Sequence, residues 1–529
     1  LALNDFHGQL EPLDPTATSG GRIGSLSGDW VAAGGAEYLA THVEQMRAEN
    51  PNTLFVSAGD LIGATPLLSA LFHDEPTIEA FNLMGLDYNG VGNHEFDEGV
   101  DELLRMQHGG CHPEDGCLDG DGFDGAEFGF LAANVAYKDG RGTIFPPYAI
   151  EKFDGVKVAI VGMTLEGTPT IVMPDGIREV DFLDEAASVN ALVPELRRQG
   201  VETIIVLLHE GGFVTTSGNG AGASTTAIND CRLASNPGPL PAIVDAMDDE
   251  IDVVVTGHTN WAVNCVLDGK VVTGAASQGR LITDIDLTLS RATKDVVDVT
   301  VNNEIVTRDV PRAGVITALI DKYLEFAGPV ASRVIGATTA PITRSANAAG
   351  ESALGDVIAD AQLAATQGAG AQVALMNPGG IRADLDAGDV TYGEAFAVQP
   401  FSNIVVTMSL TGAQLDRVLE QQFATPTCGA RSSNAILQVS AGFTYTWSAS
   451  APLCDKVSNL ALDGVPIDPA ATYRVTVNSF LAPGGDGFAE LTNGTDLTYG
   501  SDDLVALEAY FAEASPVAPG PQDRITRVP

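Results

Sequence analysis

The stretch Gly92-Asn93-His94-Glu95-Phe96-Asp97 places an amide, an imidazole and two carboxylates side by side, just after an apolar, strand-like run. Such crowding of ligand-type and acid/base side chains is costly unless a metal ion or a substrate occupies the site. We therefore interpret this stretch as the centre of a functional site, on which the rest of the chain converges.

Further ligand-type side chains follow other strand-like runs. Asp5 and His7 end the first run, and the alternation of a strand points both to the same side, so both can reach one metal ion. Asp60 lies just past a buried strand, where open α/β sheets bind their ligands. The candidate ligands at strand ends are Asp5, His7, Asp60, Asn93, His209 and His258.

Taken singly, each of these residues has an ordinary explanation. A strand-end histidine is more often a core or loop residue than a ligand, and a Gly-Asp pair is usually a turn. That all of them fall at strand ends favours a shared site. Two divalent ions close together need mixed carboxylate and imidazole ligands with one bridging carboxylate, and this set provides them.

The elements that position these residues read as alternating strands and helices. Helices are predicted over 35–48, 75–85, 184–198 and 239–248, and strands over 53–60, 128–135, 156–164, 203–208 and 251–256. This alternation predicts an α/β fold with polar residues gathered at strand ends.

Length and charge narrow the class of protein. A chain of 529 residues is too long for one core, which favours two large domains. No apolar run is long enough to span a bilayer, so we expect no transmembrane segment. The formal net charge of -43 repels polyanions at long range, which disfavours polymeric nucleic acid as a partner. A small anionic substrate remains compatible with this charge, because bound divalent ions reverse the potential locally.

Six cysteines fall as near neighbours in sequence: Cys111 with Cys117, Cys231 with Cys265, and Cys428 with Cys454. An even count without metal-type spacing favours three local disulfides and an oxidising compartment, with six reduced, buried thiols as the alternative. We therefore expect a secreted, periplasmic or cell-surface protein. The chain has no signal peptide but opens directly on a strand, which is compatible with a removed leader.

The segment 111–127 is rich in glycine and acidic residues. It lacks the register of an EF-hand, since the fifth position counted from Asp119 is Phe123. We interpret it as a solvated loop held by Cys111 and Cys117, with calcium binding as the alternative.

The domain boundary is predicted at a helix-like segment. We assign one domain to 1–311, a linker helix to 312–333 and a second domain to 334–529, with Gly328-Pro329 as punctuation. The second region contains two polar, glycine-rich blocks, Asn377-Pro378-Gly379-Gly380-Ile381-Arg382 and Gly484-Gly485-Asp486-Gly487-Phe488.

The ordered blocks resemble a known family. Asp5-Phe6-His7, Gly59-Asp60, the Gly92 to Asp97 stretch, His209-Glu210 and Gly257-His258 are similar to the motifs of calcineurin-like metallophosphoesterases. Together with the two later blocks, they make the chain resemble the secreted bacterial 5'-nucleotidases, across nearly its whole length. The resemblance implies a four-layer α/β sandwich followed by a smaller α+β substrate-binding domain. It also implies hydrolysis of nucleoside 5'-monophosphates.

The resemblance also implies roles at the metal centre. Asp5, His7, Asp60 and Asn260 would hold one divalent ion, and Asp60, Asn93, His209 and His258 the second, with Asp60 bridging. The metal identity, Zn, Mn, Co or Mg, is left open. His94 would contact the phosphate in the transition state and protonate the leaving oxygen, and Asp97 would orient it. An imidazole with a carboxylate three residues on is a suitable general acid.

For the second domain the resemblance implies a nucleotide pocket. The base would stack between Phe401 and Phe480, an arrangement that tolerates any base. Asn377 would touch the base edge, Arg382 the phosphate and ribose side, and Asp486 the ribose hydroxyls. Because the two halves of the site fall in different domains, we expect closure by domain rotation.

The chain departs from the family pattern at two positions. The family usually has His or Gln two residues after the histidine of the Gly-His block, where this chain has Asn260, whose side chain is shorter. The family also tends to place an arginine just before the acidic residue at Glu351, and Arg344 is the candidate substitute.

Three alternative functions remain open at the level of sequence. Within the fold they are a 2',3'-cyclic nucleotide 2'-phosphodiesterase with 3'-nucleotidase activity and a nucleotide-sugar pyrophosphatase. The third is a cell-surface binding protein with impaired catalysis, which the departure at Asn260 favours and the nearly intact ligand set disfavours.

Overall fold

The computed structural model of the chain describes residues 1–16, 20–25, 28–215, 225–401, 403–424, 428 and 433–529. These residues form two compact units, Leu1–Ala327 and Gly328–Pro529. The division falls inside the helix Gly314–Ala331, within the predicted linker. Among the helices of the described ranges, none combines the length and the apolar character needed to cross a bilayer.

The described part of the first unit contains two six-stranded sheets. The order of strands in the first sheet is Val296–Ile305, Leu281–Leu289, Ala2–Leu3, Val56–Ser57, Tyr88–Gly90 and Gly129–Leu131. The order in the second sheet is Ala262–Leu267, Lys270–Ala275, Val253–Thr256, Thr203–Leu208, Val156–Met163 and Tyr148–Phe153. The central strands of both sheets run parallel. Antiparallel strands close both edges of the second sheet and one edge of the first, whose other edge strand, Gly129–Leu131, is parallel.

Side-chain alternation along these strands builds the layers. In the strand Val156–Met163, Val158 and Ile160 pack against the first sheet, whereas Ala159 and Val161 pack against helices on the outside. Because both faces of the strand are buried, the run is almost continuously apolar. The outer face of the first sheet packs on helices in the same way, through side chains such as Phe55 and Phe81. The predicted four-layer α/β sandwich is confirmed.

The predicted helices of the first unit and the linker appear close to their expected positions, as Ala36–Glu49, Glu75–Met84, Glu185–Arg198, Leu240–Ala246 and Gly314–Ala331. Two further helices, Leu67–Ala70 and Val100–His108, were not predicted. Two small strand pairs complete the unit, Arg22–Gly24 with Trp30–Ala32 and Val135–Tyr137 with Val180–Phe182.

The single strand predicted over 128–135 is wrong, because the run forms two strands, Gly129–Leu131 and Val135–Tyr137. The buried Asn134 separates them, since its side chain binds the backbone of Thr164 rather than a sheet neighbour.

The second unit is an α+β fold. Its described residues form a five-stranded sheet in the order Gln438–Val439, Val373–Met376, Thr472–Asn478, Ile404–Thr411 and Thr495–Asp502. A four-stranded sheet has the order Val465–Pro466, Val457–Leu462, Phe443–Ser448 and Ile525–Val528, and Val334–Thr338 pairs with Gly388–Thr391. The helices are Ala353–Ala365, Tyr392–Val398, Gly412–Glu420 and Asp503–Ala514. Two of them begin with capping boxes, at Thr391 and Thr411, which satisfy backbone N–H groups at the first turn.

The three predicted disulfides are present: Cys111–Cys117, Cys231–Cys265 and Cys428–Cys454. The first closes the acidic loop. Asp119 of that loop forms an ion pair with Lys322 at 2.7 Å and accepts a hydrogen bond from the Tyr323 hydroxyl. An ammonium group therefore already pairs with one of the acidic side chains on which calcium binding would depend.

His73 links this loop to the start of the helix Val100–His108. Its Nδ1 lies 2.8 Å from Glu98 Oε2 and its Nε2 lies 3.0 Å from Asp115 Oδ2, while its ring stacks on His112. Two carboxylate partners require both ring nitrogens to donate, so the imidazole is cationic. The hydrogen bond to Glu98 is the largest cause that raises the pKa of His73 to about 9.

We expect His73→Gln to destabilise the protein in a pH-dependent way. A folded-state pKa of about 9, above the ordinary value of His73, stabilises the fold fully below about pH 6.5, and this contribution disappears as the pH rises through 9. Because both carboxylates are half-exposed, we expect a loss of about 1 kcal/mol, or about 1–2 °C in Tm, at pH 6.

Thermal unfolding in the presence of a chelator measures this loss. At pH 10 the variant should unfold at the wild-type temperature. The exposed His108 provides the control, since His108→Gln should leave the Tm unchanged at both pH values. An equal loss of Tm at pH 6 and pH 10 would contradict the assignment of His73 as a cation.

Candidate active site

The predicted ligands converge at the carboxyl edge of the two sheets. In the first sheet Asp5, Asp60 and Asn93 follow neighbouring parallel strands, Ala2–Leu3, Val56–Ser57 and Tyr88–Gly90. In the second sheet His209 and His258 follow neighbouring parallel strands, Thr203–Leu208 and Val253–Thr256. Since the carboxyl ends of parallel strands meet at one edge, residues distant in sequence are brought together.

Two clusters of possible ligand atoms share the Asp60 carboxylate. One consists of His7, Asp60 and His94, and the other of Asp60, His209 and His258, with the ligand atoms of each within 4.8 Å of one another. Asn93 joins the second cluster, since its Oδ1 lies 3.2 Å from His209 Nε2 and 2.9 Å from His258 Nδ1. Asp60 therefore occupies the position that a bridging ligand requires.

Asp5 and Asn260 lie beside these clusters. His7 Nε2 is 3.9 Å from Asp5 Oδ1 and 3.8 Å from Asp60 Oδ2. The Asn260 amide donates from Nδ2 to Asp5 Oδ1 at 3.2 Å and to the carbonyl of His258 at 3.1 Å. In this arrangement Asn260 orients Asp5 through its nitrogen instead of offering its oxygen to the site.

The histidine tautomers test whether divalent ions fit. Nδ1 of His7 lies 3.0 Å from the Gly63 carbonyl, and Nδ1 of His209 lies 2.7 Å from the Ala58 carbonyl. A carbonyl can only accept, so each Nδ1 carries a proton, and each Nε2 faces the Asp60 carboxylate, where it holds either a proton or a metal ion. Metal-binding histidines are held by a backbone carbonyl in this way, and a cation between Nε2 and the carboxylate would take the place of that proton. The residues present therefore fit a divalent ion.

The buried carboxylates at the site also favour a bound cation. Asp5 and Asp60 are at most 1% exposed. Burial raises the pKa of Asp5 to about 7. Burial also acts to raise the pKa of Asp60, but His209 and His94 outweigh it, so this pKa falls below its ordinary value. Burial opposes the charge of His209, but the Asp60 carboxylate raises its pKa to about 10. In the absence of metal, imidazolium groups thus supply the positive charge that the carboxylates need.

The backbone at the site is unusual. Asp5, His7, Asp60, His258 and Asn260 all have φ between 49° and 67°, in the left-handed region. Outside glycine this region is sparsely populated, is best tolerated by Asp, Asn and His, and costs on the order of 1 kcal/mol or more per residue. The surrounding structure holds these residues in strained conformations that aim their side chains at one point.

His94 and Asp97 form a pair beside the ligands. The His94 Nδ1 lies 2.8 Å from Asp97 Oδ2 within the 3₁₀ turn His94–Phe96 and its cap. The two side chains are 15% and 20% exposed, whereas the candidate ligands Asp5, Asp60 and His209 are almost fully buried. A carboxylate on Nδ1 fixes the tautomer and leaves Nε2 to act on a substrate.

Glu95, which carried no predicted role, is 3% exposed and accepts four hydrogen bonds. Burial, followed by the charge of Asp60, raises the pKa of Glu95 to about 7. Its four donor neighbours nevertheless favour the ionised form, because a protonated carboxyl would turn an O–H towards a donor. The sequence signal was its position within the Gly92 to Asp97 stretch.

The predicted base-binding residues lie in the second unit. They form two groups, and the members of each group lie next to one another. Asn377 donates from Nδ2 to Asp486 Oδ2 at 2.9 Å and accepts at Oδ1 from Asn478 at 3.0 Å. The Phe480 carbonyl accepts from the N–H of Gly485, which brings this ring next to the Asp486 turn. The amide and the carboxylate are thereby fixed relative to one of the two aromatic rings.

The second group contains the predicted arginines. The Arg382 guanidinium lies over the Phe401 ring, 5.8 Å from its centroid, and donates to the Gly379 carbonyl at 3.4 Å. Arg344 donates to the carbonyl of Ile381 at 3.2 Å, directly beside Arg382.

We expect Asn260→His to raise the metal content of the purified protein. Histidine tolerates the left-handed φ of 61° at this position and adds a ligand nitrogen on a longer side chain next to Asp5. Elemental analysis after dialysis against a limiting divalent ion measures the content. Asn52→His, at an exposed position, controls for a surface imidazole that binds metal non-specifically. An unchanged metal content in Asn260→His would contradict this prediction.

Two family models match the chain in sequence order. Residues 1–261 match the calcineurin-like phosphoesterase model, and residues 334–493 match the model of the 5'-nucleotidase C-terminal domain. The first match contains all of the candidate metal ligands, and the second contains all of the candidate base-binding residues.

Curated relatives align along most of the chain. The endonuclease YhcR of Bacillus subtilis is 34% identical over 91% of this chain, and the cell wall protein Lmo0130 of Listeria monocytogenes is 32% identical over 97%. The chain spans 37% of the first relative and 66% of the second, so both are longer proteins.

A solved structure matches over the full length. The 5'-nucleotidase precursor from Thermus thermophilus superimposes with a TM-score of 0.80 at 26% identity, covering 100% of this chain and 98% of the other. With both family models in order along the chain, this protein belongs to the calcineurin-like phosphoesterases that carry a 5'-nucleotidase C-terminal domain.

Proposed function

We propose that the protein hydrolyses nucleoside 5'-monophosphates to nucleoside and phosphate with two divalent metal ions. The observation that carries this proposal is the pair of ligand clusters that share Asp60, one of which contains His94. The Thermus thermophilus 5'-nucleotidase precursor, which matches over the full length, supports the substrate class.

We assign the ligands as the strand ends arrange them. Asp5, His7 and Asp60, with Asn260 beside them, would hold one ion, and Asp60, Asn93, His209 and His258 the other. Bound there, the ions would polarise the phosphoryl oxygens and supply a nucleophile at neutral pH by lowering the pKa of water. The proposal leaves the metal open among Zn, Mn, Co and Mg.

His94 and Asp97 would carry the proton that the leaving oxygen needs. Asp97 accepts from Nδ1 of His94 and holds the ring, so that Nε2 can donate to the departing ribose oxygen. The amide of Asn93 and the guanidinium of Arg382 would stabilise charge that develops on the phosphoryl group.

In the second unit, Phe401 and Phe480 would hold the base by stacking, which accepts purines and pyrimidines alike. The Asn377 amide would bind the base edge and Asp486 the ribose hydroxyls, and Arg344 lies beside Arg382 as a further cationic contact. We also propose an extracellular or cell-surface location, which the three disulfides and the cell wall relative support.

Chromatography of the products formed from a panel of nucleotides, with the release of inorganic phosphate measured in parallel, tests the function. The panel contains 5'-, 3'- and 2',3'-cyclic nucleotides and a nucleotide sugar, each with added manganese, zinc or cobalt. We expect the fastest release from 5'-monophosphates. Preference for a cyclic or sugar-linked substrate would replace the proposed substrate, and the absence of any product from every member of the panel would favour the binding-protein alternative.

A plasmid and a single-stranded oligonucleotide extend the panel to polymers. One relative is named an endonuclease, but a net charge of -43 opposes binding of a polyanion. We therefore expect no cleavage of either polymer at physiological salt.

A further inference from the structure

The Glu95 carboxylate lies between the two loops that carry metal-ligand candidates. Its Oε2 accepts from the backbone N–H of Asp60 at 2.9 Å and of Gly92 at 2.7 Å. Its Oε1 accepts from the N–H of Leu61 at 3.0 Å and from Nδ2 of Asn89 at 3.0 Å. Each loop thus donates to both carboxylate oxygens.

Asp60 is held from two sides by one short helical turn. Glu95 binds its backbone N–H, and the backbone N–H of His94 donates to its Oδ1 at 2.9 Å. Asp60 also has a left-handed φ of 54°. This conformation is costly for a residue other than glycine and persists only where the surrounding structure restrains it. Gly92 completes the arrangement, because a Cβ there would clash with the Asp60 carboxylate.

We infer that Glu95 is a positioning residue, which holds the Asp60 carboxylate in its bridging orientation and so sets the affinity of the site for divalent ions. This inference rests on the proposed two-metal centre. Glu95 acts through the backbone of its neighbours and touches neither substrate nor metal. Groups that orient metal ligands typically change metal affinity by about 10–100-fold when they are altered.

Glu95→Gln is the sharpest variant, because it keeps the shape of the side chain while it removes the negative charge and replaces one acceptor oxygen with a donor group. All four partners of Glu95 donate, so either orientation of the glutamine amide places its NH₂ group against two donors. We expect Mn²⁺ affinity, measured by isothermal titration calorimetry, to fall about 10–100-fold. The rise in Tm that Mn²⁺ produces at a fixed concentration should shrink accordingly.

Glu351 in the second unit supplies a matched control. It is fully buried, and its two oxygens accept from the backbone N–H groups of Arg524 and Ile525 at 2.9 and 3.2 Å. Glu351→Gln should lower the Tm by a similar amount with and without Mn²⁺ and leave Mn²⁺ affinity at the wild-type value. A purely structural residue is expected to behave in this way. Glu95→Gln is expected to differ, because it should lower Mn²⁺ affinity.

Asn89→Ala keeps the test decisive if Glu95→Gln does not fold. It removes one of the four donors, and we expect a several-fold loss of Mn²⁺ affinity. Wild-type affinity in Glu95→Gln, or in Asn89→Ala where that variant must replace it, would overturn the inference while the two-metal centre stands. Failure of the wild-type protein to bind Mn²⁺ would overturn both.

Discussion

His94→Ala is expected to lower nucleotidase turnover by about 10²–10⁴-fold while the protein retains its metal ions. The structure places His94 Nδ1 on Asp97, which leaves Nε2 for the proposed proton transfer to the leaving oxygen, and Asp60, His209 and His258 of the second cluster follow other strands. Phosphate release from a 5'-monophosphate measures the turnover, and elemental analysis measures the metal content. The loss of turnover should be smaller for a substrate with a more acidic leaving group, because such a group needs less protonation by an acid.

The outcome separates two roles for His94, because its ring also lies within reach of His7 and Asp60. Loss of one ion together with activity would show that His94 is a ligand and would contradict its assignment as the acid. The control is His108→Ala, which removes an exposed imidazole at the end of the helix Val100–His108 and should leave turnover unchanged.

Asp60→Asn is expected to have the largest effect of any single change, at least about 10³-fold on turnover. The substitution keeps the shape of the side chain but removes the charge that both ligand clusters share. We expect the purified variant to contain less than one ion per chain, and Mn²⁺ to raise its Tm far less than that of the wild type.

Asp252→Asn is the matched control on the second sheet. The Asp252 carboxylate accepts from the N–H of Ile204 at 2.9 Å and lies just before the strand Val253–Thr256, at the opposite end from His258. Wild-type metal content and turnover are expected. Asp60→Asn protein that retains both ions would contradict the bridging role of Asp60.

Much of the fold could be predicted because local pattern and tertiary structure agree. The strand over 203–208 and the helices near 36–49 and 185–198 have clear apolar periodicity, and they appear where the pattern placed them. The prediction failed at 128–135, where apolar pattern alone does not show that the partner strand changes. There a buried asparagine, Asn134, ends one pairing before the next begins.

The candidate ligands could be named from sequence because each follows a strand, and parallel strands end at one edge. The roles of groups that act through hydrogen bonds could not. Glu95 is defined by four donors from two loops, and His73 by carboxylates 25 and 42 residues away. Neither set of contacts follows a period in the sequence, so only the assembled fold shows which groups face each side chain.

The measurement that tests the two-metal centre most directly is the return of activity to metal-depleted protein. The ions are removed with a chelator, and phosphate release from adenosine 5'-monophosphate is followed as Mn²⁺ is added back, with zinc and cobalt in parallel. We predict negligible release without metal and a rise that saturates near two bound ions per chain. Full activity of the metal-depleted protein, or no release with any of the three ions, would contradict the central claim.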